Sequence, residues 1–304
     1  MKLHQLQTLV EVVDQGSIRA AARRLNLSQA AVTKSMRLLE EEAGVPLLLR
    51  RSRGSDLTEA GTRLLARARL IDRQITLAQE ELQQAAGADA GSLRVGLNPF
   101  VTLTVLGEAF TWFRQRYRQV RVEFIDGLMQ RVLPRLREGT LDLAVVAADR
   151  GEFEHEEFRI AHLQDIPQQV IVRSGHPALE RVFDPAELAA HEWIFTRPFG
   201  LDHNHRASAM FAKAGVPQPK RFLVCDALQA WALQRNSDAL SLMPAALLGR
   251  PETRGLVALD RHPFEPHDLQ LVMLTRQDVP PTPPAEYFSH CVAQSCRGVQ
   301  QAVK

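Results

Sequence analysis

Leu64, Ala68, Ile71, Ile75, Ala78 and Leu82 follow one another at spacings of 4, 3, 4, 3 and 4 residues. A helix with that seam carries one apolar stripe through nearly three heptads. Thr58 supplies an N-cap, so the helix runs from Glu59 to about Ala86 and spans about 40 Å at 1.5 Å per residue. A seam of this kind does not stay wet. Either it packs on its own chain or, as expected here, a second copy supplies a partner helix. The helix also divides the sequence: 1–58 precedes it, 59–90 contains it with the small, polar stretch Gly87–Gly91, and 91–304 follows. A length of 304 residues suits this division into more than one domain.

Ahead of the seam, Leu3, Leu6, Leu9, Val10 and Val13 recur at helical spacing, and Gly16 ends the helix. Ser17 caps a short second helix, Ile18 to Leu25, with three consecutive alanines. Asn26-Leu27 breaks it, and Ser28 caps a third helix from Gln29 to about Glu42, with Val32, Met36 and Leu39 facing inward. Two short helices joined by a tight turn make a helix-turn-helix. Pro46 to Leu57 then carries an apolar run into a turn with Arg50, Arg51, Arg53 and Gly54, the pattern of a two-stranded wing. Residues 1–57 hold nine Lys/Arg against six Asp/Glu. Arg19, Arg23, Arg24, Lys34 and Arg37 fall in a stretch free of acid. Such a run is either a solvated helix face or a phosphate-facing surface.

After Gly91 the pattern changes to alternating strands and helices. Strands are expected at Leu93–Leu97, Arg121–Ile125, Leu141–Ala147, Gln168–Arg173, Trp193–Thr196, Arg221–Cys225, Ala239–Leu242 and Leu269–Leu274. Helices are expected at about Phe100–Arg118, Met129–Glu138, Asp184–Ala189, Arg206–Ala214, Ala227–Gln234 and Ala285–Gln300. This reads as α/β with mostly parallel sheets in two lobes. The first lobe takes about 91–163 and 266–304, the second about 164–265. The class is α+β overall: winged helix-turn-helix, linker helix and two α/β lobes.

Ser17 to Leu48 (SIRAAARRLNLSQAAVTKSMRLLEEEAGVPLL) and Leu57-Thr58-Glu59-Ala60-Gly61 resemble the LysR-type transcriptional regulators. The resemblance is strong over about 60 residues. Ala30, Thr33 and Leu48 stand where that family often has proline, serine and phenylalanine. Beyond the head the resemblance is one of architecture, with Leu141-Asp142-Leu143 after Glu138-Gly139 matching the first lobe. It implies a two-lobed, periplasmic-binding-protein-like effector domain and tetramers built as dimers of dimers on double-stranded promoter DNA. RNA polymerase is a further partner compatible with that role. The third helix would enter the major groove with its N-terminal residues toward the bases. Gln29 can pair with adenine and Ala30 can touch a thymine methyl, with Ser28 and Thr33 beside them. Lys34 and Arg37 would meet phosphate or guanine, and Arg51 and Arg53 would hold backbone or minor groove.

A small-molecule effector is implied between the lobes. Ligands of such sheets sit at the carboxyl ends of strands. Asn98, Phe100, Val101 and Thr102 follow the first strand, and Thr196, Arg197 and Phe199 follow a second-lobe strand. Leu128, Ala148 and Met243 stand at other strand ends. Arg197 suits a planar anion and the phenylalanines an apolar wall, which points to an anionic or aromatic compound. The alternatives are capping for Asn98, a surface arginine and core phenylalanines.

No enzyme, cofactor or metal motif competes. Gly-x-Ser-x-Gly, a phosphate-cradling loop and Gly-x-Gly-x-x-Gly are absent. His155-Glu156 and His191-Glu192 lack a second histidine, since Arg159 and Phe195 stand there. Asp202-His203-Asn204-His205 either binds a metal or the effector or, as two histidines with no third ligand more often do, forms a solvated loop. The only cysteines are Cys225, Cys291 and Cys296, too few for a disulfide scaffold and in keeping with a reducing cytoplasm. No run of about 18 apolar residues predicts a membrane span, and the N-terminus lacks a secretory h-region.

Overall fold

The computed structural model describes the chain except residues 51–54, 87–90, 150–155, 181, 197–204, 263, 266–267 and 303–304. The head holds α1 (Leu3–Asp14), α2 (Ile18–Arg24), α3 (Gln29–Ala43) and the antiparallel strands β1 (Leu48–Arg50) and β2 (Ser55–Leu57). The turn between α2 and α3 is dictated locally. Ser17 Oγ accepts from Ala20 N at 3.2 Å and opens α2. At its end, Leu27 N donates to Ala22 O (2.9 Å) and Asn26 N to Arg23 O (3.3 Å). This paired closure needs a left-handed residue, and Asn26 supplies it with φ 55°. Ala21 and Ala22 let α2 approach a core of Leu9, Val32, Met36, Leu39 and Leu47. Glu40 Oε1 accepts from Leu47 N (2.8 Å) and Leu48 N (3.1 Å), so α3 itself sets where the wing begins.

α4 (Glu59–Ala85) is the linker helix, capped by Thr58, whose Oγ1 accepts from Gly61 N at 2.9 Å. Of its seam, Ala68 is buried, whereas Ile71 (42% exposed), Ala78 and Leu82 (72% exposed) stay in solvent. Folding of one chain therefore leaves the outer half of the stripe uncovered.

The first lobe contains β3 (Ser92–Leu97), α5 (Pro99–Thr104), α6 (Leu106–Arg116), β4 (Arg121–Asp126), α7 (Met129–Arg137), β5 (Leu143–Ala148) and β6 (Phe158–Ile166). The second contains β7 (Gln168–Arg173), α8 (Pro185–Ala190), β8 (Trp193–Phe195), α9 (His205–Lys213), β9 (Phe222–Val224), α10 (Ala227–Gln234), β10 (Leu240–Pro244) and β11 (Leu256–Ala258). The chain then returns through β12 (Leu269–Arg276) and α11 (Pro283–Ala302) to the first lobe. Sheet orders are β4-β3-β5-β12-β6 and β11-β7-β10-β8-β9.

The sheets are mixed, which corrects the expectation of mostly parallel ones. β4-β3-β5 and β9-β8-β10 are parallel, but β12 and β6 in one sheet and β7 and β11 in the other pair antiparallel. The cause is the double crossing: each lobe completes its sheet with strands next to a passage between lobes, the first of them at Pro167. The helix expected over Phe100–Arg118 is two helices, broken at Val105 (φ −116°). One apolar cluster runs from Leu93, Phe113 and Phe288 of the first lobe to Ile194, Trp231 and Met243 of the second.

His176 carries a stability prediction. It is wholly buried, its Nδ1 accepts from Ala178 N at 3.0 Å, and Nε2 lies 3.2 Å from Asp238 O. Both bonds fit a neutral ring with the proton on Nε2. Burial pushes its pKa down, against the Asp238 carbonyl and charge, while His191 and Arg173 add to the lowering. Half-buried His262 shifts the same way, burial again lowering it. Above the unfolded value of about 6.5 both states are neutral and stability is complete. As pH falls below it the unfolded chain takes up protons first, so stability is lost. Urea unfolding at about pH 7.5 and 5.5 should show this drop, with a smaller pH slope in His176→Gln. An equal slope in the variant would refute it.

Candidate DNA-binding surface and effector cleft

α3 separates cleanly into two faces. Val32, Met36 and Leu39 are buried, while Ser28, Gln29, Ala30, Thr33, Lys34 and Arg37 are all exposed. Ser28 Oγ accepts from Ala31 N at 3.1 Å, fixing the first turn. Thr33 Oγ1 donates to Gln29 O at 2.9 Å, which leaves the hydroxyl's acceptor capacity unused by that bond. Arg37 lies 3.5 Å from Glu41, both exposed, and a surface pair of that kind is weak enough to yield to a phosphate. Arg19, Arg23 and Arg24 are exposed on α2. Arg51 and Arg53 lie outside the described residues.

In the effector half, the carboxyl ends of β3, β4 and β5 share one edge of the first sheet, as those of β8, β9 and β10 do in the second. Asn98 follows β3; its Oδ1 caps α5 by accepting from Phe100 N at 2.8 Å, and its own N–H donates to Val145 O at 2.9 Å. Thr102 is exposed one turn on. Phe100 (2% exposed) and Val101 (0%) belong to the core cluster, as the core alternative for Phe100 has it. Ala148 and Met243 are buried at the ends of β5 and β10, Leu128 is half-buried and Thr196 exposed. Arg197, Phe199 and the loop 202–204 lie outside the described residues. The lobes also touch directly: Arg250 Nη1 of the second donates to Leu103 O of the first at 2.5 Å.

Sequence reasoning missed a set of ion pairs that fix α4. Arg69 donates to Asp14 Oδ1 (2.5 Å) and Glu138 Oε2 (2.6 Å). Arg73, 6% exposed, donates to Ser92 Oγ and Asp142 Oδ1, both at 3.0 Å. Glu80 accepts from Ser92 N at 3.2 Å. The spacing of 69, 73 and 80 along one helix was visible; the distant partners carry no local signal.

Comparison with known proteins agrees with this architecture. Residues 3–62 match the family model for bacterial regulatory helix-turn-helix proteins of the LysR family, and residues 86–297 match that for the LysR substrate binding domain. The transcriptional regulator PcaQ of Agrobacterium fabrum is 29% identical, with 97% of this chain and 95% of PcaQ covered. The regulator OxyR of Escherichia coli is 26% identical over 81% of this chain and 79% of its own. Among solved structures, ArgP from Mycobacterium tuberculosis superposes with TM-score 0.73 at 22% identity, covering 97% of both chains. CbnR in complex with its target DNA gives 0.65 at 24% identity, covering 97% of this chain and all of the other. No described helix is long and apolar enough to cross a membrane. The chain belongs to the LysR family and is a DNA-binding transcriptional regulator with an effector-binding domain, not an enzyme.

Proposed function

We propose that this regulator reads an interrupted palindrome in the cytoplasm as a homotetramer, through α3, and that a small anionic or aromatic effector between the lobes changes how the promoter is held. The observation that carries the DNA reading is the first turns of α3, where Ser28, Gln29, Ala30, Thr33, Lys34 and Arg37 stand exposed together while the opposite face is locked into the head core. Gln29 and Ala30 contact base edges; Lys34 and Arg37, with Arg51 and Arg53 of the wing, contact phosphate. Effector binding falls to the facing strand ends: Asn98 and Thr102 with Leu128 and Ala148 on one side, Thr196, Arg197, Phe199 and Met243 on the other. Phe100 and Val101 act from beneath, by setting the position of the Asn98 turn. The domain limits that fit this reading are 1–58, 59–90 and 91–304.

Two apolar surfaces support assembly. One is the open seam of α4. The other lies on the sheet edges: Phe124 on edge strand β4, and Phe222, Leu223 and Val224 on edge strand β9 with Leu228 beside it, each 37–69% exposed. Unpaired apolar edges are covered in stable proteins. Two different interfaces per chain build a dimer of dimers.

Peroxide sensing, suggested by relatives described as hydrogen peroxide-inducible genes activators, is not favoured. Cys291 and Cys296 are buried and Cys225 is half-buried. Burial raises all three thiols, Cys296 to about 12, so none is a ready thiolate near neutral pH.

Fluorescence anisotropy with the protein's own upstream DNA, a scrambled duplex and two salt concentrations tests the reading. Binding should be selective and salt-dependent. Lys34→Ala with Arg37→Ala should flatten the log–log salt slope by about two units at every sequence. Gln29→Ala should instead cost about 1–3 kcal/mol at one base position and relax specificity there. Equal weak binding to native and scrambled DNA, with no duplex recovered from a random pool, would overturn the reading.

A further inference from the structure

The linker helix presents three faces. At about 100° per residue, Leu65, Ala68 and Asp72 point one way, Leu70, Arg73, Leu77 and Glu80 a second, and Ile71, Ile75, Ala78 and Leu82 a third. The first face enters the head: Leu65 and Ala68 complete its core, and Gln7 Nε2 donates to Asp72 Oδ1 at 2.8 Å. The second face enters the first lobe. Arg73 holds Asp142, whose other oxygen accepts from Arg94 N of β3 at 2.7 Å, and Gly139 lets Leu70 in where a Cβ would come within 2.8 Å of it. The third face is the open seam. Arg69 falls between the first two, and its guanidinium forks to both: Nη2 to Asp14 at the end of α1, Nη1 to Glu138 at the end of α7.

We propose that Arg69 is a positioning residue that fastens the DNA-reading head and the first lobe to one helix, so that a displacement of the lobe is carried to α3 rather than absorbed at a joint. A planar fork reaching two carboxylates from one stem suits this task, and a lysine ammonium does not. Arg69 is 22% exposed and its partners 45% and 25%, so the triad is screened less than a free surface pair and orders three segments at once. Leu65, Ala68 and Asp72 hold the head on the helix and Arg73 and Glu80 hold the lobe there, and the fork at Arg69 ties the two to each other directly, which limits how far one turns against the other. The inference rests on the DNA-binding role of the head and on no particular effector.

The test measures the distance between spin labels on Ala43→Cys in the head and Arg135→Cys in the first lobe, in full-length protein with Cys225→Ser, diluted with unlabelled chains. The reference protein should give one narrow distribution. Arg69→Gln and Asp14→Asn should each broaden it about twofold, and Arg69→Lys should fail to restore it, because the ammonium replaces the charge but not the fork. All variants should bind a single half-site duplex, selected beforehand from random DNA, within about twofold of the reference. Unchanged distributions in Arg69→Gln and Asp14→Asn would overturn the proposal. So would loss of half-site binding alongside the broadening, which would make Arg69 a folding residue of the head. Failure of the reference protein itself to select a half-site would count against the DNA-reading surface and not against Arg69.

Discussion

Ile71→Glu combined with Leu82→Glu should halve the mass of the assembly in solution and lower affinity for the full promoter site about a thousandfold, while a single half-site should be bound as before. The argument starts from exposure. Both side chains stand in solvent within one chain, at 42% and 72%, so glutamates there leave the fold of the chain intact. In a paired seam the same positions are dry, and two copies bring four carboxylates into one apolar stripe at a cost no helix dimer of this length meets. The edge strands β4 and β9 are untouched, so under the proposed assembly the chains should remain paired through the lobes. Their heads are no longer held as a pair, and the second head then binds without the benefit of effective concentration, worth about 10²–10⁴. Sedimentation and anisotropy on full and half sites read the two effects separately. An unchanged mass would show that the seam is covered by something other than a second copy.

The head was legible because its signals are local. Ser17, Ser28 and Thr58 cap the helices that follow them, and the apolar positions of α3 repeat at helical spacing. The central strands of the lobes were legible as continuous apolar runs, β5 being buried at every position. β6 was not. Arg159, Ile160, Ala161 and His162 are exposed along a sheet edge, and a bulge opposite Leu271/Val272 breaks the alternation, so no period of two survives to be read. β11 is only three residues long and equally silent. Strand direction was misjudged for a related reason: a helix between strands implies a parallel crossover only within one lobe, and this chain changes lobe twice. The cleft was legible as positions, not as surfaces. Asn98 was expected as a cap and is one, but the sequence could not tell whether Phe100 faces ligand or core, since both need the same side chain. The fork at Arg69 was the least legible feature, because Asp14 and Glu138 lie 55 and 69 residues away.

Gly61→Ala should destabilise the head rather than stiffen it. An alanine in an exposed helix normally gains about 1 kcal/mol over glycine. At Gly61 the added Cβ would sit 2.1 Å from the carbonyl oxygen of Leu47 and 3.0 Å from Leu57 Cδ2. No rotamer relieves a contact between a Cβ and a backbone oxygen, so the backbone must move. Leu47 cannot retreat: it is 1% exposed, its N–H is held by Glu40, and its carbonyl accepts from Thr58 N at 3.0 Å. The helix cannot retreat either without pulling Leu65 and Ala68 from the head core. The net cost is about 2–4 kcal/mol, which lowers Tm for a head of this size by about 10–20 °C. DNA binding should fail with it, since the Glu40 clamp ties the wing to the recognition helix. Gly107 in α6 provides the contrast: its added Cβ meets nothing within 4 Å, so Gly107→Ala should leave Tm unchanged or slightly raised. Calorimetry on the pair isolates the close approach from any general effect of glycine replacement, and equal Tm values for the two variants would refute it.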